Sequence, residues 1–88
     1  MQLSVKDGVA NQALRTLADL VENEEGLLDR IELPGDLAHR LMELGFLPGH
    51  AVSAARSAPG GDPRVFRVDG SEIALRRETA RHMILRAQ

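Results

Sequence analysis

The chain is predicted to fold as one small, mainly β domain, a partly open barrel of about five short strands with one or two short helices. Turn signals recur at short intervals after Gly26. The Asp69-Gly70 pair is a strong signal for a two-residue hairpin. Because 88 residues hold only a thin core, we expect no large buried active site.

The N-terminal residues are predicted to form an extension that precedes the barrel. An extended start, Gln2 to Val5, leads to a turn at Asp7-Gly8. Apolar residues then recur at i, i+3, i+4 and i+7, at Leu14, Leu17, Ala18 and Val21. This spacing predicts an amphipathic helix from about Val9 to Val21, docked on the core; a mobile arm is the alternative. We assign residues 1–16 to the extension and residues 17–88 to the barrel domain.

A strand and a short helix are predicted next. The strand runs from Leu27 to Leu33, with Leu28 facing inward and Ile31 displaced from strict alternation by a bulge or bend. The helix begins after Asp36, a good N-cap residue. Its expected buried stripe, spaced i, i+4 and i+7, consists of Leu37, Leu41 and Leu44. Gly45 then ends the helix, because only glycine enters the left-handed region without a Cβ penalty.

Turn residues divide the rest of the chain into short strands. Pro48-Gly49 predicts a type II turn leading into a strand from Ala51 to Arg56. The proline- and glycine-rich segment Ala58 to Pro63 is predicted to be an exposed loop before a strand from Arg64 to Val68. Asp69-Gly70 joins that strand to the next one.

The C-terminal residues are predicted to complete the barrel. A strand from Glu72 to Leu75 presents Ile73 and Leu75 on one face. One or two helical turns from Arg77 to Met83 place Ala80 and Met83 or Ile84 inward, and a last short strand runs from Ile84 to Arg86.

Composition excludes several kinds of chemistry. The chain has no Cys, Trp or Tyr, so it has no thiolate nucleophile, no disulfide and no thiolate metal ligand. Only Phe46 and Phe66 remain for stacking on bases, and the balance of charge is acidic, which disfavours nucleic acid. No apolar run exceeds three residues, so neither a membrane span nor a secretory signal is expected. These features favour a soluble, cytoplasmic protein.

Charge changes sign along the chain. Residues 1–50 carry four basic and nine acidic side chains, a net charge of −5, whereas residues 51–88 carry seven and four, a net charge of +3. All seven of the later basic residues are arginines. One interpretation is that these arginines point outward from strands and pair with the acidic part of the same domain. The other is a docking surface for an acidic partner or an anionic membrane.

The motifs together resemble the FeoA family, ferrous iron transport protein A. The residues that carry the resemblance are the run Leu41 to Gly49, the loop Ala58 to Pro63, Gly70 with Ala74-Leu75-Arg76, Ala80 and Ile84-Leu85. The family pattern reads roughly R-L-x-E-L-G-hydrophobic-x-P-G, then A-P-x-G-D-P, then G-x-x-x-A-L-R-x-x-x-A, on an SH3-like barrel. The resemblance covers about residues 17–86, and its motif residues are Leu41, Leu44, Gly45, Pro48, Gly49, Gly61, Pro63, Gly70 and Leu75. This chain departs from the pattern at Asn23, where the family often has glycine, and at Ser71, where it usually has a bulky side chain.

The resemblance implies a small cytoplasmic accessory protein of bacterial ferrous iron uptake. Such a protein docks on the cytoplasmic part of FeoB, the membrane permease with a G-protein domain, and modulates it without transporting iron itself. Alternatives are a metal-sensing SH3-like domain and a general peptide-binding SH3-like module. No cofactor, nucleic acid or membrane span is implied, and an exposed strand edge of a partly open barrel can pair two copies.

Candidate site residues fall into two predicted surfaces. An apolar loop surface consists of Phe46, Leu47, Pro59 and Asp62; Phe46 has a competing role as a cap on the barrel core. An arginine surface consists of Arg64, Arg67, Arg76 and Arg77. No serine, threonine or glycine motif marks a catalytic site, so an enzyme is not expected. His39 and Glu43, spaced i, i+4, can chelate a metal, but this spacing is more typical of a solvated helix face.

Overall fold

The computed structural model describes residues 14–87, which form one antiparallel sheet with two short helices. The strands lie in the order β4-β3-β2-β1-β5. Their bounds are β1 Glu25–Ile31, β2 Ala51–Ser57, β3 Arg64–Val68, β4 Ser71–Leu75 and β5 Met83–Leu85. Helix α1 is Gly35–Glu43 and helix α2 is Arg77–Ala80, and single 3₁₀ turns occur at Leu17–Asp19 and Pro59–Gly61. The predicted mainly β class, with five short strands and two short helices, is confirmed.

Strand β1 carries the irregularity that the sequence predicts. Its pairing with β5 joins Leu28 to Leu85 and Arg30 to Ile84, with a register shift between the two pairs. Leu28 is fully buried and Ile31 is half-buried against the core. The strand begins two residues earlier than predicted, because Glu25 already pairs with Ser53 of β2.

Helix α1 differs from the prediction in its start and in its buried face. Pro34 is the N-cap residue, and Asp36 lies inside the first turn, so the prediction that Asp36 caps the helix was wrong. The predicted leucine stripe was correct at Leu41, which is buried, but wrong at Leu37 and Leu44, which are 36% and 46% exposed. Ala38, which was not in the predicted stripe, is buried as well. Ala38 and Leu41 therefore mark the buried face of α1, and Leu37 and Leu44 lie beside it.

The two predicted tight turns are confirmed. At Pro48-Gly49 the amide of His50 donates to the carbonyl of Leu47 at 3.0 Å, and Gly49 has φ +88°. Asp69 and Gly70 have φ +52° and +81°, the two positive values that a type I′ hairpin turn requires. Strand β4 therefore begins at Ser71, one residue earlier than predicted.

The core lies on the inner face of the curved sheet. Its largest fully buried side chains are Phe46, Phe66, Leu17, Leu20, Leu28, Met83, Val52 and Val68. Ala80 of α2 and Leu75 of β4 are buried with them, as predicted. Helix α2 ends at Ala80 instead of reaching Met83, because Met83 already belongs to β5. Among residues 14–87 no helix is long and apolar enough to cross a membrane.

The N-terminal segment, residues 14–24, crosses the end of the sheet. Thr16 forms a bridge with Ile84, and the amide of Leu85 donates to the carbonyl of Arg15 at 2.8 Å. The first part of the predicted helix Val9 to Val21, residues 9–13, lies outside the described residues. For residues 14–21 the prediction was wrong, because they form a single 3₁₀ turn, Leu17–Asp19, and no α-helix. The predicted features at Gln2 to Val5 and Asp7-Gly8 also lie outside the described residues.

An ion pair closes the N-terminal segment on itself. The Arg15 guanidinium lies 2.8 Å from the Glu24 carboxylate, which also accepts from the amide of Val21 at 3.0 Å. The hydrogen bond from Arg15, followed by the one from Val21, lowers the pKa of Glu24 from 4.5 to about 2. The Glu24 carboxylate is therefore ionised near neutral pH, and the ion pair joins the two ends of the segment to each other.

Candidate partner-binding surface

Arg64 does not lie on a surface, contrary to the prediction. Strand β3 alternates, and Arg64 shares its inward face with Phe66 and Val68, so that only 6% of Arg64 is exposed. Its guanidinium donates to the carbonyl of Leu20 and, at 3.1 Å, to the hydroxyl of Ser57. The charged head also lies 5.8 Å from the centre of the Phe66 ring. Arg64 therefore fastens the N-terminal segment to β3.

Arg67 is exposed on the opposite face of β3. Its guanidinium pairs with Glu72, the cross-strand neighbour in β4, at 3.2 Å. Both residues belong to the basic second part of the chain. Within residues 14–87 every ion pair joins residues of the same part, so among these residues the interpretation that the C-terminal arginines pair with the acidic part is not supported.

Asp62 connects the proline-rich loop to α2. Its Oδ1 accepts from the backbone amide of Arg77 at 3.0 Å, which satisfies a free N–H at the start of that helix. The Arg77 guanidinium also lies beside the loop, 3.9 Å from the position that a β-carbon on Gly61 would occupy. Two motifs that are 15 residues apart in sequence therefore form one local structure.

This arrangement places part of both predicted surfaces together. We call it the loop–arginine surface; it consists of Pro59, Asp62, Arg76 and Arg77, all exposed. Within the described part of the chain, neither Arg76 nor Arg77 has a carboxylate within salt-bridge distance. The surface therefore carries two arginines and one aspartate, a net charge of +1, and the Asp62 carboxylate bonds to the Arg77 backbone amide and forms no salt bridge with either guanidinium.

Phe46 is fully buried, so the prediction that it lies on an exposed apolar surface was wrong. After Gly45 the chain turns back, and the Phe46 amide donates to the carbonyl of Leu41 at 3.1 Å, which directs the ring into the core. Its competing role as a core residue is the correct one. Leu47 is 36% exposed, as predicted.

Sequence reasoning missed a second exposed patch. Leu37 and Leu44, predicted to be buried, are at least one-third exposed, and we call these two residues together with the exposed Leu47 the leucine patch. The sequence does show an apolar stripe at helical spacing that includes Leu37 and Leu44. Such a stripe usually marks a buried face, so both residues were predicted to be buried.

The two residues with a metal-chelating spacing lie on the outer face of α1. Nδ1 of His39 is 3.9 Å from the Glu43 carboxylate, and both side chains are about two-thirds exposed or more. Among residues 14–87 no three His, Cys, Asp or Glu side chains come together as a metal site would require.

A groove of about 520 Å³ lies apart from the predicted site residues. It runs between the N-terminal segment and the end of β5, and its lining includes Arg15, Glu24 and Arg86. The Arg15–Glu24 ion pair lies in this groove. None of the predicted partner-binding residues lines it.

The sequence matches the family model described as the FeoA domain over residues 15–87. A curated relative is the Fe(2+) transport protein A/Fe(2+) transporter FeoB fusion protein of Porphyromonas gingivalis, which is 31% identical over 64 residues. That match covers 73% of this chain and 8% of the relative, so this chain spans only a small part of the fusion protein.

Solved structures show the same fold. Iron(II) transport protein A from Clostridium thermocellum superimposes with a TM-score of 0.77 at 30% identity, covering 83% of this chain and 45% of that one. FeoA from Stenotrophomonas maltophilia, solved with zinc, has a TM-score of 0.72 at 29% identity, covering 82% of this chain and 89% of that one. It is described as a prokaryotic SH3 domain protein and a candidate activating factor for ferrous iron transport. The family match, the strand topology and these neighbours agree, and this chain belongs to the FeoA family.

Proposed function

We propose that this chain is a non-enzymatic accessory protein of ferrous iron uptake, which docks on the cytoplasmic part of a FeoB-type permease and modulates its activity. The observation that carries the proposal is the fusion of a related domain to a FeoB transporter in one polypeptide of P. gingivalis. Domains joined covalently in one organism often act as separate, interacting chains in another. The barrel is too small for a buried active site, which favours a binding role.

Docking through the loop–arginine surface is part of the proposal. Arg76 lies between β4 and α2, and Arg77 is the first residue of α2, whose backbone amide donates to Asp62. Two exposed guanidinium groups without a described acidic partner attract a surface rich in Asp and Glu, and salt screens such an attraction. The expected contact on the permease is therefore acidic.

The test is calorimetric titration of the purified chain with the cytoplasmic domain of the FeoB-type permease from its own organism. Titrations at about 0.05 M and about 0.5 M salt distinguish a screened contact from an apolar one. We expect binding that weakens with salt and that is lost in the double variant Arg76→Glu, Arg77→Glu. Absence of binding, both to this domain and to the full-length permease in detergent, contradicts the function.

A matched control is the double variant Arg40→Glu, Arg86→Glu, which makes the same charge change at exposed positions outside the loop–arginine surface. It should bind like the parent chain. If only the control loses affinity, or if binding is insensitive to salt and is lost in Leu44→Ser, docking on the permease stands but the contact lies at α1 and the leucine patch.

A further inference from the structure

We propose that the outer edge of β4 pairs with the same edge of a second copy of this chain, about a two-fold axis through Ile73. The two outer edges of the sheet differ in whether another segment of the chain covers them. The outer edge of β5 is covered, because Thr16 bridges Ile84 and the carbonyl of Arg15 accepts from the Leu85 amide. The outer edge of β4 has no strand beside it in the described part of the chain, residues 14–87.

The hairpin register shows which backbone groups of β4 point outward. Val68 and Ser71 flank the two-residue turn and therefore form a hydrogen-bonded pair. Bonded and non-bonded pairs alternate along an antiparallel ladder, so Ser71, Ile73 and Leu75 bond to β3. The N–H and C=O groups of Glu72 and Ala74 then face away from the sheet.

Strand β4 lacks most of the devices that protect an exposed edge. Edge strands usually carry lysine, proline, a bulge or an inward-pointing charge. The pairing of β4 with β3 runs through five consecutive residue pairs without a bulge, and Glu72 is its one charged residue. Its carboxylate lies on the outer face and is paired with Arg67 at 3.2 Å. Shortness is the one protection that remains.

The edge is complementary to itself in one register. When Ile73 faces Ile73 of the second copy, Glu72 faces Ala74 of that copy, and the two pairs exchange four backbone hydrogen bonds. Arg76 of the second copy is then a diagonal neighbour of Glu72 and, with Arg67, offsets the repulsion between the two Glu72 carboxylates. A register centred on Glu72 would instead oppose the two carboxylates directly. The exposed part of the half-buried Ile73 becomes covered in the first register.

Amide hydrogen exchange over a range of protein concentrations tests this pairing, with sedimentation velocity on the same samples of the full chain. The amides of Ser71, Ile73 and Leu75 should be protected at every concentration, because they bond within the hairpin. Those of Glu72 and Ala74 should exchange rapidly in dilute samples and become protected as a dimer forms.

Two variants test the register. Ala74→Pro deletes two of the four bonds between the copies without removing a bond to β3, and should raise the dissociation constant at least about tenfold. Glu72→Arg places like charges side by side and should also weaken the dimer, whereas Glu25→Arg, the same change on the outer face of β1, should not. If Ala74→Pro does not fold, two measurements still test pairing through β4. One is the difference in dissociation constant between Glu72→Arg and Glu25→Arg, and the other is the exchange pattern of the β4 amides.

Three results would overturn the proposal. One is a chain that stays monomeric up to about 1 mM, a limit set by the weakest specific contacts. Another is a dimer in which the Glu72 and Ala74 amides stay unprotected. The third is protection of these amides only when the permease domain is added, which would make that domain the occupant of the edge.

Discussion

Replacing Gly45 by alanine should destabilise the domain through its backbone and not through a clash. Gly45 has φ +113°, a region that side chains with a β-carbon rarely adopt. A β-carbon there would lie 3.4 Å from Cβ of Asp69 and 3.7 Å from Val68, which is ordinary contact. The cost is therefore the backbone strain, about 1–3 kcal/mol in the free energy of unfolding.

Gly35 supplies a matched control for the same substitution. It lies in the first turn of α1 with no atom within 4 Å of the position of a β-carbon and with no positive φ. Alanine at this position restricts the unfolded chain and favours the helix, so Gly35→Ala should raise the free energy of unfolding by about 0.4–1 kcal/mol.

Thermal and urea unfolding of both variants measure the two effects. Because 1 kcal/mol corresponds to about 4–8 °C in a domain of this size, Gly45→Ala should lower Tm by about 4–24 °C. Gly35→Ala should raise it by a few degrees. A Gly45→Ala variant as stable as the parent, or a shift of the same sign in both variants, would refute the strain argument.

Three further predictions follow from the described contacts. Phe46→Ala should lower the free energy of unfolding, measured in urea, by about 3–5 kcal/mol. A variant as stable as the parent chain would contradict the burial of Phe46. Asp62→Ala should cost about 0.5–1 kcal/mol by uncapping α2, whereas Asp62→Asn, which keeps an acceptor, should not; equal losses would show that charge matters instead. Because folding lowers the pKa of Glu24 from 4.5 to about 2, its stabilising effect is present above pH 4.5 and is lost as the pH falls toward 2. The loss should be smaller in Arg15→Gln, as measured by Tm against pH.

Local turn chemistry made much of the fold predictable. Gly45, Gly49 and the Asp69-Gly70 pair each occupy a positive φ that their residue types favour. The residue types at these positions predict the end of α1, the entry to β2 and the register of the hairpin without reference to any tertiary contact. Predictions that rest on these three turns therefore agree with the structure to within one or two residues.

Predictions of which side chains are exposed failed where tertiary packing decides. The helical spacing of Leu37 and Leu44 was correct, but Ala38 and Leu41 mark the buried face of α1, and both of the other leucines lie beside it. Arg64 lies two residues before Phe66 in β3, so strand alternation places both side chains on the same inward face. Its positive charge instead led to the prediction of an exposed side chain. The contact between Asp62 and Arg77 joins residues 15 positions apart, and no pattern within either motif indicates it.

The bond between the Leu85 amide and the Arg15 carbonyl, 2.8 Å long, also fixes the two ends of the domain next to each other. A module whose entry and exit points are neighbours can be inserted into a loop of another protein, or joined end to end with one, while its own sheet stays intact. For the same reason a circular permutant that links residue 86 to residue 15 through a short linker, and opens the chain at the exposed Gly60, should keep all five strands. Covalent attachment to a larger protein therefore requires no rearrangement of this barrel.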